Sequence, residues 1–317
     1  MAPGPDGHSG IDAASGSPAT PGDGRAGVDA AGGTPATPGD GRAGATATDG
    51  GTALDTTGHA TSGGLLGVGF RSLLKREILR FVRRPRNTFV PPAITNVLYF
   101  AVFGVILGDR IEEVAGEPYL LFILPGLVVL GAIGNAFENS SFSIFHGRWN
   151  EYIHETLTSP LSYSSMVLAY ILAAALRGII VGLIIVGIGL LFTSVPIERP
   201  LYLAAFMLVV PLLFASLGVI GGLLADDFDD LTVMNQFILR PLVFFGAVFY
   251  PLGSLDPLYR TLSLLNPMVY MVNGVRYGFL GFQEVDPLAS LVVLGGLTAV
   301  VATFDVWLFR RGYGLID

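Results

Sequence analysis

The chain has 317 residues, 51% hydrophobic and only 14% charged, and it contains no cysteine. Disulfide staples, thiolate metal sites and a cysteine nucleophile are therefore excluded. The net charge of −7 is concentrated at one end, because residues 1–64 carry seven Asp against two Arg; the remainder is close to neutral and more apolar than the totals suggest.

Residues 1–64 are Gly, Pro, Ala, Thr and Asp with almost no large apolar side chains. They cannot bury enough surface to offset the entropy of ordering a backbone, so a disordered cytoplasmic tail is expected. The string PATPGDGRAG occurs at Pro18–Gly27 and again at Pro35–Gly44, which reads as a duplicated linker. Each copy also spells G-x-G-x-x-G, at Gly22, Gly24 and Gly27 and at Gly39, Gly41 and Gly44. A dinucleotide fingerprint needs a strand before it and a helix after it, and neither pattern is present. The tail also lacks the basic start and apolar core of a signal peptide.

From Gly67 to Arg86 the pattern changes. Phe70, Leu73, Leu74, Ile78, Phe81 and Val82 recur at helical spacing, while Arg71, Lys75, Arg76, Arg80, Arg83 and Arg84 occupy the other face. This predicts an interfacial amphipathic helix. Seven basic residues against the single acid Glu77 place it on the cytoplasmic side. Because the segment runs directly into an apolar stretch, a nucleic-acid surface is not expected.

Six apolar stretches follow, at about 88–108, 118–142, 164–193, 200–225, 231–251 and 287–309. Each approaches or exceeds the roughly 20 residues that a helix needs to cross about 30 Å of hydrocarbon. The expected fold of residues 65–317 is thus an all-α integral membrane domain with six transmembrane helices and both termini in the cytoplasm. Counting supports this topology: the inside segments hold ten Arg or Lys and the outside loops four, Arg110, Arg199, Arg260 and Arg276.

Two connections carry more than loop character. Between spans two and three, HGRWNEYIHETLTSPLSYSS is too polar to cross, and helix formers from Arg148 to Leu157 predict a short cytoplasmic helix stopped before Pro160. Glu151 and Glu155 share one face of it, while Trp149, Tyr152 and Ile153 can rest on the membrane surface. Between spans five and six, Asp256 with Pro257 and Asn266 with Pro267 can each cap and begin a helix, predicting a re-entrant pair in the outer leaflet. The acidic turn at Asp226, Asp227, Asp229 and Asp230 reads as a solvated inside loop.

Catalytic signatures are sparse. A P-loop needs Lys after Gly, and the only lysine, Lys75, follows Leu74. His8, His59, His146 and His154 form no metal pattern, so neither a metal nor a cofactor is expected in this chain. Glu138, Arg177, Arg240 and Asp305 fall within spans, where an unpaired charge is costly, so they are expected to face protein or water. A clamp between Arg240 and Asp305 or Glu138 is the pairing expected.

Taken together, the basic amphipathic helix, the six spans, the cytoplasmic helix after span two and the re-entrant pair resemble the type-2 permease family of ATP-binding-cassette transporters. The resemblance runs from about Phe70 to the C-terminus. It rests on Arg83–Leu98 with Val90–Pro92, Glu151–Pro160, Asp227–Leu231, FFGAVFYPL at Phe244–Leu252 and LNPMVYMVNGVRYGFLG at Leu265–Gly281. The match is to exporter permeases of drug or lipid-glycan type. It implies a homodimer in membrane lipid, bound to separate ABC ATPase subunits that hold ATP and Mg. It also implies a coupling helix over about Arg148–Ser159, with Arg148, Glu151, Tyr152, Glu155 and Leu157 toward the ATPase. A path lined by spans one, two and five would present Phe100, Phe103, Phe244 and Phe249. Asn266, Pro267, Tyr270 and Tyr277 would close its outer end. The alternative is a self-sufficient secondary transporter or channel; no inverted repeat relates residues 88–193 to 200–309.

Overall fold

Proline placement and glycine packing determine most of the architecture. The computed structural model describes residues 67–106, 111 and 113–315, apart from the side chains of Val105, Ile238, Arg240 and Phe244. The described residues belong to the unit Thr57–Asp317, and the predicted tail lies outside them.

Helix α1 (Val68–Val82) buries Phe70, Leu73, Glu77 and Phe81, a stripe with helical periodicity that includes one acid. Arg84 breaks the helix, and Pro85 opens α2 (Pro85–Phe100), where its missing N–H costs nothing. Thr88 closes the corner, its hydroxyl donating to the carbonyls of Phe81 and Arg84 at 3.1 and 3.0 Å. A π-helical turn over Ala101–Ile106 extends α2. Strands β1 (Glu113–Val114) and β2 (Glu117–Pro118) pair antiparallel around Ala115 and Gly116, both at positive φ, as a tight two-residue hairpin requires.

Helix α3 (Tyr119–Trp149) has 31 residues, and at 1.5 Å per residue it is about 46 Å long, more than the roughly 30 Å of a hydrocarbon core. It is followed by α4 (Ile153–Leu157), α5 (Tyr163–Phe192) and α6 (Pro200–Leu224). The chain then breaks into α7 (Phe228–Val233), a π turn over Met234–Leu239, and α8 (Arg240–Phe244). The last helices are α9 (Pro257–Ser263), α10 (Pro267–Leu280) and α11 (Pro287–Arg311).

The core forms where α3, α5 and α6 meet, and glycines set how closely they approach. A Cβ on Gly178 would lie 2.6 Å from the Ala132 carbonyl, and one on Gly222 would lie 2.5 Å from the Ser141 carbonyl. Without a solvent-driven hydrophobic effect between helices in lipid, such backbone proximity supplies much of the packing energy.

The structure departs from the sequence reading at three points. Among the described residues four helices, α3, α5, α6 and α11, are long and apolar enough to cross a membrane. The residues of the first predicted span form α2 with its π turn, and those of the fifth the interrupted α7–α8 segment; neither is among the four. The interruption has a local cause: Pro241 lacks the N–H that would bond back to Phe237, so the ladder widens before it. Second, α3 continues to Trp149, so the predicted helix over Arg148–Leu157 begins only at Ile153, after Glu151 at φ 60°. Third, Arg276 belongs to the interior of α10 and is fully buried, where an outside loop position was expected.

Gly222→Val should destabilise the fold by about 1–3 kcal/mol through overpacking, read as a lower thermal midpoint in detergent. Gly187→Ala, whose added methyl meets nothing within 4 Å, should leave that midpoint unchanged or raise it.

Candidate functional site

Three places bring the candidate residues together. The first is a charge cluster where α1 meets α3 and α5. Burying a carboxylate costs several kcal/mol unless donors surround it, and Glu77, 3% exposed, has four. Arg76 donates from Nε and Nη2 to Oε1 at 3.2 and 3.1 Å, Arg80 from Nε to Oε2 at 3.1 Å, and the Ser143 hydroxyl to Oε2. Arg80 Nη2 reaches on to Asn139, at 2.9 Å to its carbonyl and 3.1 Å to Oδ1. Arg177 continues the lattice, with Nη2 3.1 Å from Asn135 Oδ1 and 3.4 Å from Glu138 Oε2. Glu138 therefore pairs with Arg177. The Arg240 side chain lies outside the described residues, and with it the predicted Arg240 clamp. Asp305 is fully buried and has no hydrogen-bond partner among the described residues.

This lattice touches the connection between α3 and α5 directly. The Arg76 guanidinium lies 5.9 Å from the Tyr152 ring centroid, and a groove of about 670 Å³ runs between α1 and α4 past Arg76, Arg83, Tyr152 and Glu155. Burial, with the nearby Glu77 charge, raises the Tyr152 phenol above its ordinary pKa, keeping it neutral. In α4, Ile153 and Thr156 are buried and Leu157 half-buried, while His154 and Glu155, like Glu151 in the turn before the helix, are exposed. Arg148 does something else: its Nη1 donates to the carbonyls of Gly222, Leu223 and Ala225 at 3.0, 2.9 and 2.8 Å, capping the C-terminal end of α6. Asp227 and Asp230 are likewise engaged, in a capping box at the start of α7.

The second place is a cleft of about 540 Å³ between α2, α3 and the interrupted α7–α8 segment. Phe103 and Phe249 line it and stack at 5.2 Å between centroids. Phe100 does not; it is fully buried and stacks on Phe192 at 5.7 Å. The Phe244 side chain lies outside the described residues. Tyr99, Asn96, Asn135 and Asn235 also line the cleft, and sequence reasoning missed all four because a polar residue within a span has no signature of its own.

The third place is the cap formed by α9 and α10. Asn266 both starts α10, accepting from Met268 N at 3.0 Å, and ties it to α8 by donating to the Leu242 carbonyl at 2.7 Å. Pro267 takes the first helical position. The Tyr270 hydroxyl donates to the Leu264 carbonyl at 2.8 Å, and the Tyr277 ring meets Tyr202 edge-on at 5.1 Å. Sequence reasoning missed the centre of this cap. Arg276 lies 3.9 Å over the Phe122 ring, donates to the Ala247 carbonyl at 2.9 Å and sits 3.6 Å from Glu284. Asn273 fixes the following loop by bonding Val285 O and Glu284 N at 2.8 and 2.7 Å. Among the described residues no group of three or more acids and histidines could hold a metal ion.

Comparison with known proteins supplies the context for this geometry. The family described as ABC-2 type transporter matches residues 68–280. The chain is 37% identical over 253 residues to the inner membrane transport permease YadH of Escherichia coli K12, a match covering 79% of this chain and 98% of that protein. It is 20% identical over 238 residues to nodulation protein J of Rhizobium leguminosarum bv. viciae, covering 74% of this chain and 89% of the relative. Nodulation protein J of Sinorhizobium fredii is 25% identical over 176 residues, 55% of this chain and 66% of that one.

Glu77→Ala removes the acceptor of two arginines that are 45% and 37% exposed. The arginines can partly resolvate, so a loss of about 2 kcal/mol is expected, read as a lower thermal midpoint and faster proteolysis of α1. Ser143→Ala should lose less.

Proposed function

Because this chain belongs to the ABC-2 type transporter family, we propose that it is the permease subunit of an ATP-driven exporter, working as a homodimer on a separate ABC ATPase. Membership makes it an ABC transporter membrane subunit, a multi-pass inner-membrane protein. The rest is our reading. Six crossings per chain follow if α2 with its π turn and the interrupted α7–α8 segment complete the four long helices, which leaves both termini in the cytoplasm. ATP and Mg then act on the partner, since a chain whose only lysine follows Leu74 has no P-loop to hold them.

The observation that carries the proposal is the position of α4. Its Glu155 and, just before it, Glu151 are exposed, its Ile153 and Thr156 are buried, and it abuts the arginine lattice that joins α1 to α3 and α5. A push on α4 thereby reaches two long helices through charge-assisted hydrogen bonds. We assign the cleft between α2, α3 and α7–α8 to the cargo path, α9 and α10 to its outer closure, and Arg148 to bracing α3 on α6. The cargo is an amphiphile, a drug, a lipid or a lipid-linked glycan, entering from the inner leaflet.

Glu151→Lys with Glu155→Lys should leave membrane insertion intact. It should lower co-purification of the ATPase and stimulation of its activity by about tenfold, equivalent to about 1.4 kcal/mol. Full stimulation by this double variant would contradict the coupling role. A self-sufficient transporter would instead move its cargo in vesicles without ATP or an added ATPase.

A further inference from the structure

The cleft assigned to cargo has an internal polarity. Along α2, Asn96 precedes Phe103 by two turns, about 10 Å of axial rise; along α3, Glu138 lies toward the end that meets α1; along the interrupted segment, Asn235 comes before Phe249. Three elements thus place amides and a carboxylate at the end nearest the arginine lattice and aromatic rings at the other. No Lys, Arg or His lines the cleft among the described residues.

Two acceptors with unused capacity, Asn96 Oδ1 and the Glu138 carboxylate, stand at the polar end. Asn96 is 5% exposed, spends its Nδ2 on the Pro92 carbonyl at 2.8 Å, and leaves Oδ1 buried without a donor. An unsatisfied buried acceptor carries a desolvation penalty that a ligand N–H or O–H would remove. Glu138 bonds Arg177 through Oε2 alone, and its side chain is 43% exposed where that of Arg177 is 14% exposed. Arg177 also donates to Asn135 and Asn139, so the cation is turned into protein and the anion toward the cleft. A plain clamp between α3 and α5 accounts for the pair, but it gives no reason for the carboxylate to be the exposed partner or for a donor-seeking amide to share its cleft.

We propose that this cleft selects amphiphiles whose polar head is a hydrogen-bond-donating cation, a primary or secondary ammonium, with an apolar tail lying against the stacked pair of Phe103 and Phe249. The proposal rests on the cleft being the cargo path and adds the head-group chemistry that the path prefers.

The test uses the full chain in nanodiscs and three probes, each a dansyl group on a twelve-carbon chain ending in an ammonium, a hydroxyl or a carboxylate. The ammonium probe should bind the unaltered protein about tenfold more tightly than either other probe, a difference of about 1.4 kcal/mol. Glu138→Gln should abolish that preference and Glu138→Asp should retain it. Arg177→Gln should strengthen ammonium binding, because the carboxylate loses its competing cation; a merely structural clamp would make both neutralising changes act in the same direction. Equal binding of the three probes, or a preference that survives Glu138→Gln, overturns the proposal. Phe103→Ala with Phe249→Ala separates the two layers of inference. If it weakens all three probes equally and no head is preferred, only the charge selection fails; if it changes none of them, the cargo path itself is misplaced.

Discussion

A carboxylate withdrawn from water, Glu77, constrains the end of this protein where α1 meets α3 and α5. Glu77 is affordable there only because Arg76, Arg80 and Ser143 surround it, and those donors come from two different helices. Satisfying one charge therefore fixes α1 against α3, and Arg80 and Arg177 extend the same requirement to Asn139, Asn135 and Glu138. The interfacial helix is held by a directional lattice rather than by lipid contact alone. Breaking one partner of such a lattice is far more costly than never having built it.

The membrane imposes the second constraint. Backbone groups that leave a helix within hydrocarbon must be satisfied by protein, and two carbonyls at and after α8 are met in this way. The break before Pro241 lies against α3 and the α10 cap, with the Leu242 carbonyl taken by Asn266. The Ala247 carbonyl is taken by Arg276, itself buried over Phe122. The aromatic face of the cleft and the cap above it are consequently one packed unit, joined through α8. Movement of the interrupted segment would change both at once.

Much of this was legible in the chain. Hydropathy and the Asp–Pro and Asn–Pro steps located α5, α6, α9, α10 and α11 closely, and the arginine periodicity located α1. What the periodicity concealed was that Glu77, the lone acid, lies on the buried stripe: charge counting treats it as a minor subtraction, whereas packing makes it central. Arg148 misled for a related reason. Its side chain is long enough to reach the end of α6, a contact seventy-odd residues distant in sequence that no local pattern encodes. The fifth span read as continuous because apolar content is blind to where a missing N–H will widen a helix. Glu138 meets Arg177 because side chains on adjacent packed helices pair according to axial level, which sequence does not register. Phe100 and Phe103, three residues apart on similar chemistry, separated into core and cleft only once α5 was in place.

The central claim is that the arginine lattice and α4 share one side of the membrane and the α9–α10 cap the other, so that work done on the first opens the second. The absence of native cysteine makes this directly measurable. Single cysteines at Glu155 and at Leu258, both exposed, can be challenged with a membrane-impermeant maleimide in oriented vesicles. Labelling of Glu155→Cys only in inside-out vesicles and of Leu258→Cys only in right-side-out vesicles is the predicted result; labelling of both from the same side would contradict the account.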